Sequence, residues 1–562
     1  MAHSHRARQL LNPLFSGIKY LLRDEFTDTR AAGSVDGTAA TPGPGTRTVV
    51  DTDGDALSVG SGVASFANPN NAYGDPGVWY GVLAHTAGRL VIAQIDLSGG
   101  VGSAGPYLGW DDNQNGSPDM HVLYSGANPG IRNNSVWIAK TWLTTTTTYT
   151  VAIVLRTAGA YYFVKGGAYS SWTLIYVTCT GTGNVYPVMT TYANAYDSDY
   201  IRVPDVTYLP TPTCYDTFTR SDGALGSSET TGPDSQATPQ RTWTTIGGDL
   251  DIASNAVQGG DAQTELVQNS GVESFTGTED DGTSDDFDNW LETPNTGGII
   301  EAVTGVKHGG SYAVKLTKGS AGNTFVRQTG IAVTAAKLYW GAAWVYGDGG
   351  TGTARMALFD SDNVQTVFTV DGATTAAWQL LSAVVAAPTG CSELVPYIYA
   401  RAGTGDVCYA DDFSLVECHA EYIDVGDADV QIVANVTTPA SGTAPFGLIL
   451  RRNGAIQWLV QITPGTAGTD LELIELDDGA PTSRANADVD WTADTQYEIQ
   501  VSCSGDDINV YVDNAQELTY GTCTVGQANT QFGYFDSAEG NATLDDILIF
   551  AKDSGYDDLS KY

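Results

Sequence analysis

The sequence has few basic residues and lacks the usual signatures of catalysis. It contains 26 Lys and Arg against 65 Asp and Glu, which gives a formal net charge of −39. A surface of this charge repels phosphates and anionic lipid head groups, so we expect neither nucleic acid nor a membrane as a partner. No apolar run approaches the length of a membrane span. No G-x-S-x-G elbow, Walker loop or HExxH motif occurs, so the enzymes that these motifs mark are not indicated.

Cysteine and histidine are also scarce. The seven cysteines form no CxxC pair and no zinc spacing. Two disulfide bonds between neighbouring strands are compatible with the sequence, Cys391 with Cys408 and Cys503 with Cys523. The odd number leaves at least one thiol free or bonded to another chain, so the redox compartment stays open. The six histidines form no local cluster beyond His3 and His5, near the start of the chain.

Short alternating runs of apolar and polar residues dominate what is present. Gly is plentiful at 65 residues, Met is rare at 4, and aromatic residues make up 10% of the chain. Long helical periodicity is missing, while period-two runs recur between Gly, Asn and Asp turns. The 562 residues are enough for several domains. These features predict an all-β protein built from several sandwiches.

One hairpin pattern occurs twice, far apart in the chain. In Tyr497–Val512 the apolar residues alternate on both sides of a Gly-Asp-Asp turn, which predicts a hairpin with one buried face. Tyr149–Val164 has the same pattern around Gly159. One hairpin seen twice indicates that one type of domain is used twice.

Other matches support the duplication. Asp24–Thr27 and Asp216–Thr219 both have the form D-x-F-T and open the two copies. The second copy is longer, which predicts an inserted module between an early strand pair and the segment that begins near Tyr422. Insertion is tolerated where the ends of the inserted domain lie close together.

The predicted organisation has five parts. These are an N-terminal docking tail (1–21), a first sandwich (22–209), a second, discontinuous sandwich (210–263 and 419–553), an inserted module (264–418) and a C-terminal tail (554–562).

Both sandwiches resemble the concanavalin A-like, or laminin G-like, jelly-roll family. The residues that carry the resemblance are the D-x-F-T openings, Phe446–Arg451, the Tyr497–Val512 hairpin and the Asp546–Ile549 ending. The insert resembles carbohydrate-binding modules of the galactose-binding-like type through residues 266–275, 285–290, 308–316 and 409–415. Together the resemblances imply two jelly-roll sandwiches, the second interrupted by a module of the carbohydrate-binding type.

The second resemblance implies a structural calcium ion. In such modules an early Glu and a late Asp often hold calcium, and Glu273 with Asp411 or Asp412 match those positions. Independently, Asp111, Asn113, Asn115 and Asp119 lie in a D-x-N-x-N-G segment with the spacing of a calcium loop. The alternative for that segment is an ordinary Asn/Gly turn.

Glycan binding needs exposed aromatic faces and planar polar groups. Trp290, beside an acidic loop, is the predicted platform, and Tyr312 is a second candidate. Most other aromatic residues of the insert lie in strand-like segments and are expected in the core. They are Trp340, Trp344, Trp378, Tyr397 and Tyr399.

A polysaccharide-active enzyme is the least favoured prediction. Some laminin G-like folds host glycosidases with an E-x-D-x-x-E strand, and the nearest match, Glu472–Asp478, has the wrong spacing. On a strand, Glu472 and Asp477 point to opposite faces, so they do not serve one substrate as acid and base.

The first 23 residues are basic and partly apolar and do not have the pattern of a signal peptide. Apolar residues at three- and four-residue spacing, up to Leu21 and Leu22, predict a short helix from Pro13 that docks on another protein. The alternative is a disordered start.

Strings of such modules without a secretion signal resemble structural proteins of phage particles. The sequence therefore predicts a non-enzymatic structural or adhesion protein of a tailed-phage virion: a capsid decoration, fibre or tail-associated protein. Its expected partners are other virion proteins, copies of itself and cell-surface glycan. The alternative is a bacterial surface or secreted carbohydrate-binding protein, located outside the cell.

Overall fold

The protein is described here from a computed structural model. The described residues are 18–562 except 32, 51–56, 67–75, 98–105, 115–119, 125–128, 141–146, 192–195, 261–262, 402, 443, 467 and 538–541. Within them the chain forms antiparallel sheets and one short 3-10 helix, Asp557–Lys561, which confirms the predicted all-β class. None of the described helical residues forms a segment long and apolar enough to span a membrane.

The first part of the chain contains fifteen strands among the described residues. They are β1 (Tyr20–Asp24), β2 (Thr48–Val50), β3 (Leu57–Gly60), β4 (Val63–Phe66), β5 (Gly77–Trp79), β6 (Leu90–Asp96), β7 (Tyr107–Asp111), β8 (His121–Tyr124), β9 (Gly130–Asn133), β10 (Val136–Ala139), β11 (Thr148–Leu155), β12 (Ala160–Gly166), β13 (Tyr169–Val177), β14 (Tyr186–Thr190) and β15 (Tyr196–Pro204). They form two sheets with the orders β13-β12-β11-β6-β15-β4-β3 and β10-β9-β8-β7-β14-β5-β2, and β1 pairs with β15.

The second sandwich is built from two stretches of chain. The first stretch holds β16 (Cys214–Asp216), β17 (Gly223–Ala224), β18 (Thr244–Thr245), β19 (Leu250–Ala253) and β20 (Ala256–Gly259). The second holds β34 (His419–Asp424), β35 (Val430–Thr437), β36 (Phe446–Asn453), β37 (Ile456–Ile462), β38 (Leu471–Asp477), β39 (Ala480–Ala487), β40 (Gln496–Ser504), β41 (Asp507–Val512), β42 (Ala515–Tyr520), β43 (Gln531–Asp536) and β44 (Thr543–Ala551). The sheet orders are β17-β19-β20-β44-β35-β40-β41-β42, with β16 on β44, and β18-β34-β43-β36-β37-β38-β39.

The two sandwiches share one strand order. The hairpin β11–β12 corresponds to β40–β41, so both predicted hairpins are present. The opening strand pairs with the closing strand in each copy, β1 with β15 and β16 with β44. The third set of strands is inserted after β20, at the position that corresponds to the connection between β4 and β5 in the first sandwich.

The D-x-F-T segments have the same local structure in both copies. Asp24 accepts a hydrogen bond from the backbone N–H of Phe26 at 3.1 Å, and Asp216 accepts one from Phe218 at 3.0 Å. Both Phe residues have a positive φ, 51° and 53°, and both are buried in their cores. A positive φ is uncommon for a bulky residue. We infer that the turn is held by the Asp hydrogen bond and by burial of the ring.

The insert forms its own sheets. Its strands are β21 (Phe275–Thr276), β22 (Asp286–Phe287), β23 (Leu291–Thr293), β24 (Ile299–Val303), β25 (Ala313–Thr317), β26 (Phe325–Arg327), β27 (Ile331–Ala332), β28 (Leu338–Gly347), β29 (Thr353–Asp360), β30 (Gln365–Asp371), β31 (Trp378–Ala386), β32 (Glu393–Arg401) and β33 (Val407–Glu417). A six-stranded sheet has the order β23-β26-β32-β29-β30 with β27 on β32, and a five-stranded sheet has the order β24-β25-β33-β28-β31. β21 and β22 pair with each other.

The first and second sandwiches pack together through a buried apolar layer. Phe550 lies edge-on to Tyr161 at 5.2 Å, and the Tyr161 hydroxyl donates to Asp234 at 2.8 Å. The Gln500 side-chain amide donates to the Val177 carbonyl at 2.7 Å. The layer also includes Leu90, Ile92, Phe163, Trp172, Leu174, Val433, Leu548, Tyr556 and Leu559. Because hydrogen bonds and aromatic contacts both cross it, we expect the two sandwiches to move together.

The insert rests on the second sandwich through one end of its five-stranded sheet. Leu338, Val384 and Ala386 pack with Leu459 and other apolar residues of the seven-stranded sheet. The Ala386 N–H also donates to the Gly479 carbonyl at 3.2 Å. Gly479 has a φ of 87°, and a Cβ there would lie 2.1 Å from the Ala386 oxygen, so the contact requires glycine.

The C-terminal residues are packed, whereas the sequence predicts a tail over 554–562. Tyr556 and Leu559 are buried in the layer between the two sandwiches. The Trp172 indole N–H donates to the Ser560 hydroxyl at 3.0 Å. These contacts fix the segment against the first sandwich.

The N-terminal prediction is partly wrong and partly outside the described residues. Residues 1–17 lie outside them. Leu21 and Leu22, predicted at the end of a helix, belong to β1, where Leu22 is 2% exposed in the core. Pairing with β15 supplies backbone hydrogen bonds and core burial, which override the helical spacing.

The seven cysteines, all within the described residues, are free thiols. Neither predicted pairing forms in this structure. Burial raises the pKa of the Cys391 thiol to about 12, which disfavours the reactive thiolate.

Candidate functional site

The six-stranded sheet of the insert exposes a face of aromatic and arginine side chains. On β32, Leu394, Ile398 and Ala400 point into the core, so Tyr397 and Tyr399 lie on the opposite face. We call the outward side chains of β26, β29, β30 and β32 around these tyrosines the aromatic–arginine face.

The strand register arranges this face in two rows that cross the strands. The first row consists of Phe325, Tyr399, Arg355 and Asp371. The second row consists of Arg327, Tyr397, Ala357 and Thr369. Directly opposed residues on neighbouring strands have Cβ atoms about 5 Å apart, so each row is a continuous strip of side chains.

The aromatic rings form one cluster. The Tyr397 and Tyr399 rings are parallel, with centroids 5.2 Å apart. The Phe325 centroid lies 5.5 Å from Tyr397 and 5.4 Å from Tyr399, and Phe359 packs against the Tyr397 ring edge-on at 6.1 Å. Tyr397 is 7% exposed, while Phe325, Phe359 and Tyr399 are half-buried. Tyr397 therefore supports the cluster, and Tyr399 and Phe325 offer ring surface to solvent.

The polar side of the face is held in a fixed geometry. Arg355 donates from Nε and Nη2 to the two carboxylate oxygens of Asp371, both at 2.6 Å. Arg401 Nε lies 3.8 Å from the same carboxylate. The Arg355 hydrogen bond holds the pKa of Asp371 below its usual range and raises the pKa of the guanidinium. This bidentate pair is planar and directional, as recognition of sugar hydroxyls or anionic groups requires.

Arg327 joins the polar and aromatic groups. Its Nη1 donates to the Tyr397 hydroxyl at 2.5 Å, and its guanidinium carbon lies 5.5 Å from the Tyr397 centroid. Its Nε is buried without a hydrogen-bond partner among the described residues. Burial, followed by the neighbouring Tyr397 hydroxyl, raises the pKa of Tyr399 to about 12, so this hydroxyl stays protonated near neutral pH.

The sequence prediction missed this face because it assigned strand aromatics to the core. The signal was the alternation within Glu393–Arg401, where Leu394, Ile398 and Ala400 alternate with the two tyrosines. Arg401, at the end of the segment, is two residues from Tyr399 and therefore lies on the same side of the strand as both tyrosines. A charged residue on that side indicates that the side faces solvent.

The predicted platform at Trp290 is wrong. Trp290 is 6% exposed and packs on Phe413 with centroids 4.4 Å apart. Its indole N–H donates to the Asn269 carbonyl at 3.2 Å. The ring fills the core beneath the acidic loop and has no free face for a sugar. Tyr312 is half-buried and edge-on to Phe275 at 5.0 Å, so the structure does not place it with the aromatic–arginine face.

The predicted calcium ligands of the insert meet around one turn, residues 307–312. Glu273 Oε1 accepts the N–H groups of Ser311 at 2.8 Å and Tyr312 at 3.1 Å. Gly310 has a φ of 51°, and a Cβ there would lie 2.0 Å from Glu273 Oε1, so a larger residue would force this carboxylate to move.

The two aspartates approach the same turn. Asp411 Oδ2 accepts the N–H groups of His308 at 2.9 Å and Gly309 at 3.1 Å. Asp412 Oδ2 lies 2.7 Å from His308 Nδ1. Carboxylate oxygens suit calcium, but here they bind the turn and do not form a cluster within 4.8 Å of one another, so calcium stays a prediction.

Asp360, Asp362 and Cys391 do form such a cluster among the described residues. Asp360 accepts hydrogen bonds from the N–H groups of Asp362 at 3.0 Å and Asn363 at 3.1 Å. Asp362 accepts hydrogen bonds from Ser392. These carboxylates hold a turn.

Asp411 is expected to make the insert more stable as the pH falls from 7 to 5. Burial raises the pKa of this carboxyl to about 6, against the hydrogen bonds from Gly309 and His308. The folded state then takes up a proton that the unfolded state, with its pKa of about 3.9, does not hold. The stabilisation is complete below the unfolded pKa and is lost as the pH rises through 6. We expect about 1 kcal/mol of stabilisation between pH 7 and pH 5.

Hydrogen exchange of β25 and β33 in EDTA, corrected for intrinsic exchange rates, measures the effect. Asp411→Asn removes this titration, so the variant should lose that part of the pH dependence while general acid repulsion remains. Equal pH dependence in the variant and the wild type would contradict the prediction.

The second predicted calcium loop lies in the first sandwich. Asp111 is buried at the end of β7, and its Oδ2 accepts the Trp79 indole N–H at 2.8 Å. Asn113 follows in a bend and donates to Asp112. Asn115 and Asp119 lie outside the described residues, so this site also stays a prediction.

No protein-family model and no curated relative matches the chain. Some solved structures are similar to parts of it. The carbohydrate-binding module CBM66 from Bacillus subtilis is 14% identical over 24% of this chain and 80% of its own, with a TM-score of 0.19. The module TmCBM61 in complex with β-1,4-galactotriose is 18% identical over 27% and 99%, with a TM-score of 0.22. A β-1,3-glucanase from Mycobacterium marinum is 14% identical over 33% and 98%, with a TM-score of 0.22. At these scores the likenesses carry no conclusion about function.

Proposed function

We propose that the protein binds glycan through the aromatic–arginine face of the insert. The observation that carries the proposal is the row of Phe325, Tyr399, Arg355 and Asp371 across four neighbouring strands. A sugar ring stacks its C–H surface on an aromatic face and directs its hydroxyls to planar polar groups beside it. This row places both kinds of group side by side on a sheet.

The rigidity of the face supports the proposal. Asp371 and Arg355 fix each other in a bidentate pair, and Tyr397 is locked by Arg327 and the surrounding rings. Groups that are held before binding lose little conformational entropy when the ligand arrives. The side chains at the polar end remain accessible, at 29% for Arg355, 38% for Arg401 and 45% for Asp371.

We further propose that the protein binds without hydrolysing. The segment most similar to the E-x-D-x-x-E strand of glycosidases is Glu472–Asp478, and two of its carboxylates already have partners. Glu475 pairs with Arg484 at 2.5 Å, and Glu472 accepts the Ser483 hydroxyl at 2.8 Å. On the aromatic–arginine face, Asp371 is paired with Arg355, whereas a glycosidase needs two carboxyl groups across one bond. The predicted location on a phage virion, the alternative bacterial surface, and assembly with other virion proteins or further copies stay predictions.

Tyr399→Ala tests the glycan proposal. We expect the variant to bind glycan about 10- to 100-fold more weakly, because it removes the exposed ring that stacks on the sugar. Binding to an immobilised glycan panel, followed by titration calorimetry on the best ligand, measures the change.

Trp378→Ala is the matched control. Trp378 is also a half-buried aromatic residue of the insert, but it lies on the opposite, five-stranded sheet, so its removal should leave affinity unchanged. Equal loss in both variants, or undiminished binding by Tyr399→Ala, would refute the assignment of the face.

A further inference from the structure

We propose that the glycan bound by this face is acidic and carries carboxylate or sulfate groups. This inference rests on the proposed function and names its substrate class. It is carried by the arginines of the face.

The face has more positive than negative charge. Arg327, Arg355 and Arg401 lie on it, and Asp371 is the carboxylate that pairs with them. Among the described residues, Arg327 has no carboxylate within 4.0 Å. Arg355 and Arg401 share the Asp371 carboxylate. Around Tyr399, three guanidinium groups against one carboxylate leave an excess of two positive charges. Glu393 lies on the same side of β32 but six residues away, where it accepts the Gly330 N–H at 2.9 Å. The whole chain has 26 basic and 65 acidic residues, so this excess is opposite in sign to the protein.

The donors of these arginines are not used up within the protein. Arg327 uses Nη1 for the Tyr397 hydroxyl, and its Nη2 makes no hydrogen bond among the described residues. Its Nε is also unpaired there but is buried, so this atom is not offered to a ligand. Arg401 approaches Asp371 only to 3.8 Å, beyond hydrogen-bond distance. A guanidinium presents five N–H donors in a plane that matches a carboxylate or sulfate.

The hydroxyls of a neutral glycan accept hydrogen bonds from these groups but do not balance their charge. A sugar that stacks on Tyr399 removes water from the neighbouring Arg327 and Arg401. Charged groups that lose water without gaining a counter-charge weaken a complex. An acidic sugar supplies the counter-charge. The negative remainder of the protein repels the same polymer, so binding is confined to this face.

Paired polysaccharides that share a backbone and differ in their anionic groups test the inference. Polygalacturonate is compared with its methyl-esterified form, and a sulfated galactan with its desulfated form, at low and at physiological salt. We expect at least tenfold tighter binding of one acidic polymer than of its neutral counterpart, and a smaller difference at higher salt. Preference for the carboxylated or for the sulfated polymer identifies the anionic group.

Arg401→Gln is expected to reduce the preference for the acidic polymer, measured as the ratio of the two affinities, about tenfold. Arg30→Gln is the control, because it removes the same charge from an exposed arginine of the first sandwich. Equal binding of acidic and neutral polymers by the wild type, or an unchanged preference in Arg401→Gln, would overturn the inference.

Tyr399→Ala separates the inference from the proposed function. If the face binds glycan, this variant loses affinity for acidic and neutral polymers alike. Loss in Tyr399→Ala without any acidic preference in the wild type would refute the substrate class alone. Undiminished binding by Tyr399→Ala would refute the proposed function as well.

Discussion

Arg47→Met is expected to lower the free energy of unfolding of the first sandwich by about 3–5 kcal/mol. The Arg47 and Asp24 side chains are both fully buried. Arg47 donates from Nε to Asp24 Oδ2 at 2.6 Å and from Nη2 to Oδ1 at 2.7 Å, and the Tyr80 hydroxyl also donates to Oδ2 at 2.9 Å. Methionine fills a similar volume but leaves the Asp24 carboxylate buried without its counter-charge.

Denaturant unfolding followed by hydrogen exchange of β1 and β15 measures this loss. Arg30→Met is the matched control, since Arg30 pairs with Asp28 at 3.0 Å but its side chain is 45% exposed. Exposed pairs contribute about 1 kcal/mol or less, so the control should unfold almost as the wild type does. A loss below 1 kcal/mol in Arg47→Met would show that Asp24 does not depend on this partner.

Tyr556→Ala is expected to lower the free energy of unfolding by about 3 kcal/mol. Tyr556 is 3% exposed, and its ring lies edge-on to Phe163 with centroids 4.8 Å apart. Truncation leaves a cavity in the layer between the two sandwiches, where the surrounding β-strands cannot collapse to fill it.

Faster hydrogen exchange in β12 and β13, with little change in the insert, is the expected signature. Val364→Ala serves as the control because Val364 is 77% exposed. If β12 and β13 exchanged at the wild-type rate in Tyr556→Ala, the C-terminal segment would not contribute to the packing of the two sandwiches.

The sequence predicts the fold better than the site. The alternation that marks a strand is visible in a short segment, whereas the residues that contact a given side chain often come from distant parts of the chain. The D-x-F-T motif marks the start of both sandwiches, yet it does not reveal what balances its buried Asp. In the first copy the partner is Arg47, 23 residues later. In the second it is Arg220, only four residues later, which donates to both carboxylate oxygens. The Trp243 indole N–H also donates to Oδ2, at 2.9 Å. Such differences depend on which loop closes over the carboxylate.

The face of a strand is also decided by tertiary context. Trp290 follows an acidic loop and has the local signs of exposure, but Phe413 on another strand covers it. Tyr399 lies in a strand that resembles core, but the sheet on which it lies has a solvent-exposed side. Alternation identifies two faces without telling which one is buried. The sequence alone therefore indicates aromatic residues of the insert as candidates but does not tell which of them are exposed.

The insertion of one domain into another has a consequence for synthesis of the chain. β20 ends at Gly259 and β34 begins at His419, so the second sandwich lacks most of its strands until the insert has been made. At ribosomal rates these residues take about 10–30 s to emerge. The ends of the insert lie side by side, since the Leu266 N–H donates to the Leu415 carbonyl at 3.0 Å. An insert that folds first brings the two halves of its host together and shortens the loop that remains to be closed. Until then the apolar sides of the early strands have no completed core to pack into.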